Sequence, residues 1–455
     1  MNKKVLFVML MMVLVIGVSG VSTLSAQGPQ RAYIVMANDS GSGLASSISA
    51  AGGVMTSFMP EIRAATAVSS NPNFASQIRG VRSVIPDLIY QFDLPTPDQY
   101  ITMDNVGDPP NSGSADFFFD LQWGHNAVRA QHAWANGVRG QGVQVAVLDG
   151  GFDLDHPDLA PNINLALSAN FVPGESLQYG LPDPFSHGSH VAGTIAAAQN
   201  NFGVIGVAPD AELILVKVLS DAGSGAFSWV AAGIVHAANV GVDIINMSLG
   251  AAIPQRGTCF APDDCITARE VAELRVLMNR VTNYAFQRGV TVITSAGNAA
   301  LDRDKTADLL VLPADMPNVI SISATAPIGW ATDPGNIFLD NLASYSNYGR
   351  SAIDFAAPGG DFVYPGNELC VIAGLARPCW VFDLVFSAGN NSWYWSAGTS
   401  MASPHAAGIA ALIISENGGS MHPAQVEAEL RRRADRLGSN GRDPAYGMGR
   451  VSSGY

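Results

Sequence analysis

From Trp123 onward the chain alternates short, almost continuously apolar runs with segments of helical spacing, and this alternation constrains the fold more than any other feature. The apolar runs predict strands at residues 143–148, 213–218, 244–247, 290–294 and 319–323, and the other segments predict helices at 191–198, 228–238 and 269–287. Strands that are apolar on both faces are typical of parallel sheets covered by helices on both sides. We therefore expect an α/β domain with a doubly wound, mostly parallel sheet, in which reactive groups lie at the carboxyl ends of strands.

The composition excludes two broad classes of protein. Apolar residues make up 48% of the chain and charged residues only 14%, so the chain can bury a large core and is not intrinsically disordered as a whole. The formal net charge of −14 has the wrong sign for binding a phosphate backbone. We therefore expect no nucleic-acid partner.

The first residues have the pattern of a secretory signal peptide. Lys3 and Lys4 supply positive charge, residues 5–18 are almost unbroken apolar, and small residues then lead to Ala26. An uncleaved membrane anchor is the alternative, because residues 5–24 are only just long enough to span a bilayer. We expect residues 1–26 to be a cleaved signal peptide, and the mature protein to be secreted into the extracellular medium and free of the membrane.

Two further segments precede the alternating region. Residues 31–92 combine strand-like runs at 32–36, 64–68 and 83–85 with a helical segment at 44–51, which predicts a small α+β domain. Residues 93–116 are rich in proline, glycine and serine, which predicts an exposed, cleavable linker. Residues 117–455 would then form the large α/β domain.

The four cysteines fall into two local pairs, Cys259 with Cys265 and Cys370 with Cys379. An exported chain favours disulfides, and four cysteines allow three connectivities, of which local pairing is the simplest. A zinc site made of the four thiolates is the alternative, but neither pair has CxxC spacing.

An acid, an imidazole and a hydroxyl occur where the predicted sheet would present them together. Asp149 follows a strand, His187 opens a helix, and Ser400 enters an alanine-rich helix. Singly, each has an ordinary structural interpretation as a turn, packing or helix-terminal residue. Together they provide what acyl transfer needs, because an imidazole activates the serine and a buried carboxylate fixes the tautomer of that imidazole. Asn298, after the strand at 290–294, could donate its amide to an oxyanion.

The segments AVLDGGFDLDHPDL, HGSHVAGT, SAGN and GTSMASPHAAG resemble the motifs of subtilisin-like serine proteases, the subtilases, from about residue 123 to residue 454. The resemblance implies that Asp149 is the triad acid, His187 the general base and Ser400 the nucleophile. It also implies that Asn298 donates to the oxyanion together with the backbone N–H of Ser400.

Several residues inside or between the motifs depart from the family or have no expected role in the chemistry. His190 and His405 lie inside the motifs and are expected to be structural. Gly150 stands where many relatives have Ser or Thr, and Ser189 stands where most have Thr. Neither change removes a reacting group. The stretches 250–298 and 298–400, which carry the cysteine pairs, are longer than in compact subtilisins, so we expect loops there to reshape the substrate pocket.

The resemblance also implies binding residues. Two segments would bracket an extended peptide substrate, which adds as a strand to free backbone edges: Gly223, Ser224 and Gly225, and Ser248, Leu249 and Gly250. The resemblance further implies a structural calcium ion. Side-chain oxygens of Asp158 and Asn200 would bind it, together with carbonyl oxygens of Ala198, Phe202 and Val204. A residue near 119–122 could complete this shell.

Residues 31–92 resemble the inhibitory propeptide of the family, through RAYIVMAND near the start and VRSVIPD near the end. We therefore expect a secreted serine endopeptidase that cleaves polypeptides and is made as a zymogen, with its own propeptide as inhibitor and self-cleavage within about residues 90–115. A catalytically silent, polypeptide-binding protein of the same fold is the alternative, but no triad group is missing. A metallohydrolase using His187 and His190 would need an HExxH motif and a third ligand, and the sequence shows neither. A dinucleotide-binding sheet would need GxGxxG after its first strand, which the sequence also lacks.

Overall fold

The computed structural model describes residues 29–92, 100–102, 116–261 and 264–455. The predicted signal peptide, residues 1–26, lies outside the described residues, and so does most of the predicted linker, residues 93–99 and 103–115. Over the described ranges, none of the helices combines the length and the apolar character needed to cross a bilayer.

The N-terminal part forms a small α+β domain. Its elements are β1 (Arg31–Met36), α1 (Leu44–Ala50), β2 (Gly53–Met59), β3 (Ala64–Ser69), α2 (Phe74–Gln77), β4 (Ser83–Pro86) and β5 (Ile89–Gln91). Four of the strands form an antiparallel sheet in the order β2-β3-β1-β4. Alternation along β1 places Tyr33 and Val35 in a core with α1 and α2, and Ile34 and Met36 against the large domain.

The remaining elements belong to the large domain. Its strands are β6 (Tyr100–Thr102), β7 (Gln144–Asp149), β8 (Ala169–Asn170), β9 (Glu212–Lys217), β10 (Ser224–Ala226), β11 (Ile244–Met247), β12 (Ala251–Pro254), β13 (Gly257–Ala261), β14 (Asp264–Thr267), β15 (Thr291–Ser295), β16 (Leu309–Leu312), β17 (Val319–Ala326), β18 (Asn341–Leu342), β19 (Phe355–Pro358), β20 (Leu369–Ile372), β21 (Leu375–Pro378), β22 (Val385–Ala388) and β23 (Ser392–Ser396). Its helices are α3 (Trp123–Ala127), α4 (Ala130–Ala135), α5 (His187–Ala196), α6 (Phe227–Val240), α7 (Ala268–Gln287), α8 (Thr399–Glu416) and α9 (Pro423–Arg433).

An eight-stranded sheet runs through the large domain in the order β18-β17-β15-β11-β7-β9-β8, with β19 also paired to β17. Every pairing is parallel except that between β17 and the short edge strand β18. Val145 and Val147 face a core formed with α5 and α8, whereas Ala146 and Leu148 face a second core formed with α6 and α7. The predicted doubly wound α/β fold is therefore confirmed.

The N-terminal domain packs on the α6 and α7 side of the large domain. Apolar residues of β1 and β4 join the core of that side. At the rim, Arg82 forms an ion pair with Glu273 at 3.0 Å, and Arg280 donates to the carbonyl oxygen of Ile62 at 3.1 Å. The sheet of the N-terminal domain thus covers two helices that would otherwise expose apolar side chains.

Both cysteine pairs form the local disulfides that the sequence favours, Cys259–Cys265 and Cys370–Cys379. The first joins the antiparallel strands β13 and β14, and the second links β20 to the residue after β21. Strand β6, inside the predicted linker, pairs with β23 as an edge strand of the large domain. Strand β6 was not predicted, because three residues are too few to show a period.

Candidate active site

Asp149 and His187 form a hydrogen-bonded pair at the carboxyl end of the sheet. Asp149 is the last residue of β7 and is fully buried, and its Oδ1 lies 2.8 Å from Nδ1 of His187. Oδ1 also accepts a hydrogen bond from the backbone N–H of Gly150 at 2.7 Å. A carboxylate at Nδ1 fixes the proton there, which leaves Nε2 of a neutral imidazole as an acceptor. Nε2 has no hydrogen-bond partner among the described residues.

The position of His187 is set by the cap of its helix. His187 is the first residue of α5, and Ser186 is the N-cap, whose hydroxyl accepts from the N–H of Ser189 at 3.2 Å. The same hydroxyl donates to the carbonyl oxygen of Gly151 at 2.8 Å, which ties the helix start to the loop after Asp149. The hydroxyl of Ser189 accepts from the N–H of Asp153, in the loop after Asp149, at 2.7 Å. Serine therefore supplies here the same hydroxyl group as the threonine expected in relatives.

Ser400 is the second residue of α8, which packs beside α5. Its hydroxyl donates to the carbonyl oxygen of Ser248 at 3.2 Å and makes no hydrogen bond with Nε2 of His187. Ser248 in turn donates its hydroxyl to the carbonyl oxygen of Ser400 at 2.8 Å. The hydrogen bond between a nucleophilic hydroxyl and the histidine that activates it is often long or absent until substrate is bound. The structure therefore has the acid–base pair formed and the hydroxyl turned to a neighbouring carbonyl.

The side chain of Asn298 is held through its amide oxygen, which bonds to the first residue of α8 and leaves the amide nitrogen to other partners. Its Oδ1 accepts from the N–H of Thr399 at 2.8 Å and from the hydroxyl of Thr399 at 2.7 Å. Asn298 and Ser400 both line a cavity of about 90 Å³. The other lining residues are apolar, small or neutral, among them Leu249, Gly250 and Ala252, and none of the lining side chains carries a charge. An acyl group held here would therefore meet an amide donor beside an uncharged pocket.

The two predicted substrate segments differ in what they contact. Strand β10, which contains Ser224 and Gly225, pairs antiparallel with β5 of the N-terminal domain, and the N–H of Phe92 donates to the carbonyl oxygen of Gly223 at 3.0 Å. A Cβ on Gly225 would lie 2.6 Å from a side-chain carbon of Leu219, so only glycine fits at this point of the edge. The second segment, residues 248–250, follows β11, and its Leu249 and Gly250 line the cavity beside Ser400.

His190 and His405 are buried in helices and bond to the backbone. Nε2 of His190 lies 3.1 Å from the carbonyl oxygen of Val385, and Nδ1 of His405 lies 2.8 Å from that of Met401. Burial lowers the pKa of His190 to about 3 and that of His405 to about 4, so both rings are neutral at physiological pH. Neutral, backbone-bonded rings suit the structural role expected of them.

The predicted calcium loop encloses Asp158. The Oδ2 atom of Asp158 accepts from the N–H of Val204 at 2.9 Å and from Nε1 of Trp393 at 2.7 Å. Nδ2 of Asn200 lies 3.2 Å from Oδ1, and Oδ1 of Asn200 accepts from the N–H of Phe202 at 2.9 Å. The N–H of Ala198 donates to the carbonyl oxygen of Asp158 at 2.8 Å. The loop residues named from the sequence therefore surround one buried carboxylate.

A second carboxylate, Asp116, enters the same loop. Its Oδ1 accepts from the N–H groups of Asn200 and Asn201 at 3.0 and 3.2 Å, and its buried Oδ2 has no partner among the described residues. Burial raises the pKa of Asp158 to about 7 and that of Asp116 to about 6, and the charge of Asp116 adds to the rise at Asp158. Two buried carboxylates and a loop of amide and carbonyl oxygens fit a hard cation.

Three residues of this region were missed by the sequence analysis. Ser186 could have been found, because a serine directly before a helix is a typical N-cap. Asp116 had no local signal, since its partners in the loop are 84 and 85 positions away. Lys217 lies opposite Asp149 in the sheet and is fully buried, with ion pairs to Glu175 at 3.0 Å and to Asp221.

The chain is similar to known proteins over most of its length. The profile of the Subtilase family matches residues 140–449. Subtilisin Savinase of Lederbergia lenta is 35% identical over 335 residues, which cover 73% of this chain and 97% of the relative. The crystal structure of fervidolysin from Fervidobacterium pennivorans, a keratinolytic enzyme related to subtilisin, is 25% identical, with a TM-score of 0.65 over 94% of this chain and 61% of that chain.

The fold of the whole described chain also recurs in a further solved structure. The epidermin leader peptide processing serine protease of Staphylococcus aureus has a TM-score of 0.71 at 22% identity, over 93% of this chain and 97% of that chain. That likeness concerns the fold alone. The family profile covers more than half of the chain, and the relationship to Savinase spans nearly all of that protease. The chain therefore belongs to the subtilase family and is a serine endopeptidase that acts on polypeptides.

Proposed function

We propose that this protein is a secreted serine endopeptidase, made as a self-processing zymogen, in which Ser400 is the nucleophile. The observation that carries the assignment is the 2.8 Å hydrogen bond between Asp149 and His187, which leaves Nε2 of the imidazole without a partner among the described residues. Helix α8, which carries Ser400, packs beside the helix that His187 opens. The alternative, a catalytically silent binding protein, would not need a buried carboxylate aligned on a histidine.

The reaction proceeds by acyl transfer. The hydroxyl of Ser400 leaves the carbonyl oxygen of Ser248 and donates to Nε2 of His187, which takes the proton as the oxygen attacks the substrate carbonyl. Asp149 holds the imidazole and stabilises its charged form, while the amide of Asn298 and the N–H of Ser400 donate to the oxyanion. His187 then gives the proton to the leaving amine, and water hydrolyses the acyl-enzyme by the same steps.

The uncharged cavity beside Ser400 favours substrates with a neutral side chain of modest size before the scissile bond. Its volume of about 90 Å³ and its lining by Leu249, Gly250 and Ala252 support this preference. A charged side chain there would lose its hydration without gaining a partner.

The N-terminal domain acts as an inhibitory propeptide. Strand β5 uses the backbone edge of β10, residues 224–226, at which a substrate strand would pair. The processed bond lies between Phe92 and Tyr100, because Phe92 still belongs to the domain that blocks the edge and Tyr100 already belongs to a strand of the large domain. Strand β6 then remains with the mature enzyme.

A calcium ion stabilises the loop around Asp158. Asp116, Asp158 and Asn200 would supply side-chain oxygens, with carbonyl oxygens of Ala198, Phe202 and Val204. The ion supplies stability and takes no part in the chemistry.

The test is to make the Ser400→Ala and His187→Ala forms and to measure both processing and hydrolysis of casein. Each should stay at full length after removal of the signal peptide, and each should lose on the order of 10⁶-fold in turnover, the loss that subtilisin shows. Ser415→Ala, at the far end of α8, is the matched control and should behave as wild type.

A fluorophosphonate should label the mature wild-type enzyme on Ser400 and fail to label Ser400→Ala. Residual turnover above a thousandth of wild type in either triad variant, or an adduct on another serine, would contradict the assigned roles.

A further inference from the structure

We propose that strand β6 is a positioning element of the active site, which fixes the start of helix α5, and with it His187, through the ring of Tyr100. The inference rests on the proposed function, in which processing occurs before Tyr100 and β6 remains with the mature enzyme. Tyr100 acts on the base through the residues between them, so it is a positioning residue.

His187 follows a short segment that strand β23 holds in place. The carbonyl oxygen of Pro184 accepts from the hydroxyl of Ser392 at 2.9 Å, and that of Ser186 accepts from the hydroxyl of Tyr394 at 3.1 Å. Ser186 is the N-cap of α5, so its position sets the position of the first residue of the helix. Strand β23 therefore anchors the backbone directly before His187.

Phe185 lies between these two anchored residues and packs its ring between two tyrosine rings. Its centroid lies 5.4 Å from that of Tyr394 and 5.6 Å from that of Tyr100, with interplanar angles of 80° and 88°. Edge-to-face contacts of this kind are favourable beyond the area that they bury. Tyr394 is buried and also contacts the ring of His190 on α5 at 4.6 Å, whereas Tyr100 is 45% exposed. The ring of Tyr100 thus covers Phe185 from the solvent side.

Strand β6 is itself fixed to the large domain. It pairs antiparallel with β23, with Tyr100 opposite Tyr394 and Ile101 opposite Trp393. Ile101 is buried in the core that α5 and α8 share. The pairing also covers an edge of β23 that would otherwise leave backbone groups unpaired. Because β23 ends four residues before Ser400, β6 supports the strand that leads to the nucleophile as well as the segment before the base.

The experiment compares Tyr100→Ala with Tyr100→Phe, each made as the full chain and assayed after processing with a peptide p-nitroanilide. Tyr100→Ala should lower kcat about 2- to 12-fold, the range for loss of one aromatic pair, and leave KM unchanged, because the base and not substrate binding is affected. The rate constant for fluorophosphonate labelling of Ser400 should fall by the same factor. Tyr100→Phe keeps the ring and should restore both values. Because Tyr100 is half exposed, neither change should prevent folding.

Phe286→Ala is the matched control for a loss of stability alone. The ring of Phe286 makes a similar contact with His422, at 5.0 Å and 86°, but at the amino ends of the sheet strands, where α7 leads into β15. This variant should lower the Tm about as much as Tyr100→Ala does and leave kcat and labelling unchanged. In Tyr100→Ala/Phe185→Ala, kcat should be no lower than in Phe185→Ala, because the two rings act through one contact.

A Tyr100→Ala enzyme with the kcat of wild type, a loss confined to KM, or losses in the double variant that multiply would overturn the inference. An active mature enzyme whose first residue lies after residue 102 would overturn it as well. In each of these cases, a wild-type enzyme that hydrolyses casein and takes the fluorophosphonate on Ser400 leaves the assignment as a serine endopeptidase intact. A wild-type enzyme that does neither refutes the proposed function itself.

Discussion

Helix α6 of the large domain begins without a side-chain cap of its own, because Ala226 stands at its N-cap. Asp87, between β4 and β5 of the N-terminal domain, supplies the missing acceptor: its carboxylate accepts from the N–H of Ser228 at 3.3 Å and from the hydroxyl of Ser228 at 2.5 Å. We predict that Asp87→Ala weakens binding of the N-terminal domain after processing. Loss of an N-cap costs about 0.5–2 kcal/mol, which corresponds to about 2- to 30-fold in the dissociation constant.

The assay is dilution of the processed but still inhibited complex, with peptidase activity read at equilibrium. The concentration at which half of the activity is released should rise by that factor in Asp87→Ala. Asp87→Asn keeps an oxygen that can accept from the N–H of Ser228 and gains an amide that can donate to the Ser228 hydroxyl, so it should stay closer to wild type at pH 7 than Asp87→Ala does. An Asp87→Ala midpoint equal to that of wild type would refute the capping argument.

The same residue gives this midpoint a pH dependence. Burial raises the pKa of docked Asp87 from its ordinary value of 3.8 to about 6, and the hydrogen bonds from Ser228 offset only part of the rise. Docking therefore takes up a proton, so this stabilisation is fully present below pH 3.8 and is lost as the pH rises through about 6. Inhibition should weaken between about pH 4 and about pH 6, by at most about a hundredfold, and Asp87→Asn should abolish that part of the dependence.

Two further predictions concern the site and the loop. Asn298→Ala should lower kcat by about 10²–10³-fold, as loss of the equivalent donor does in subtilisin, with little change in KM, because the amide acts on charge that develops only in the transition state. A loss confined to KM would contradict that role. Chelation of calcium should lower the Tm by on the order of 5 °C, and this response should disappear in Asp158→Asn but persist in Asp155→Asn, a carboxylate at the surface.

The central sheet could be predicted because its strands are buried on both faces and so appear as continuous apolar runs. The strand at 244–247 was predicted with its observed bounds, Ile244–Met247, and the helix predicted at 269–287 begins one residue earlier, at Ala268. Strand β2 was not predicted, because the side chains of residues 53–58 are half-buried or exposed and show no clear alternation. Helix α5 begins at His187, the residue that was predicted to open a helix, and the cap by Ser186 adds a turn of small residues before the helical spacing at 191–198.

The sequence alone determined the fold class, the family and the candidate chemistry, because each of these depends on local patterns: apolar strands, and short motifs around Asp149, His187, Ser400 and Asn298. The tertiary structure decided which groups meet across the chain. It placed Asp116 in the loop of Asp158, Asp87 at the start of α6, and Tyr90 between Phe227 and Phe260. Contacts of this kind join residues that are far apart in the chain, so no spacing or periodicity records them. Those of Asp87 and Tyr90 exist only once the two domains have packed together.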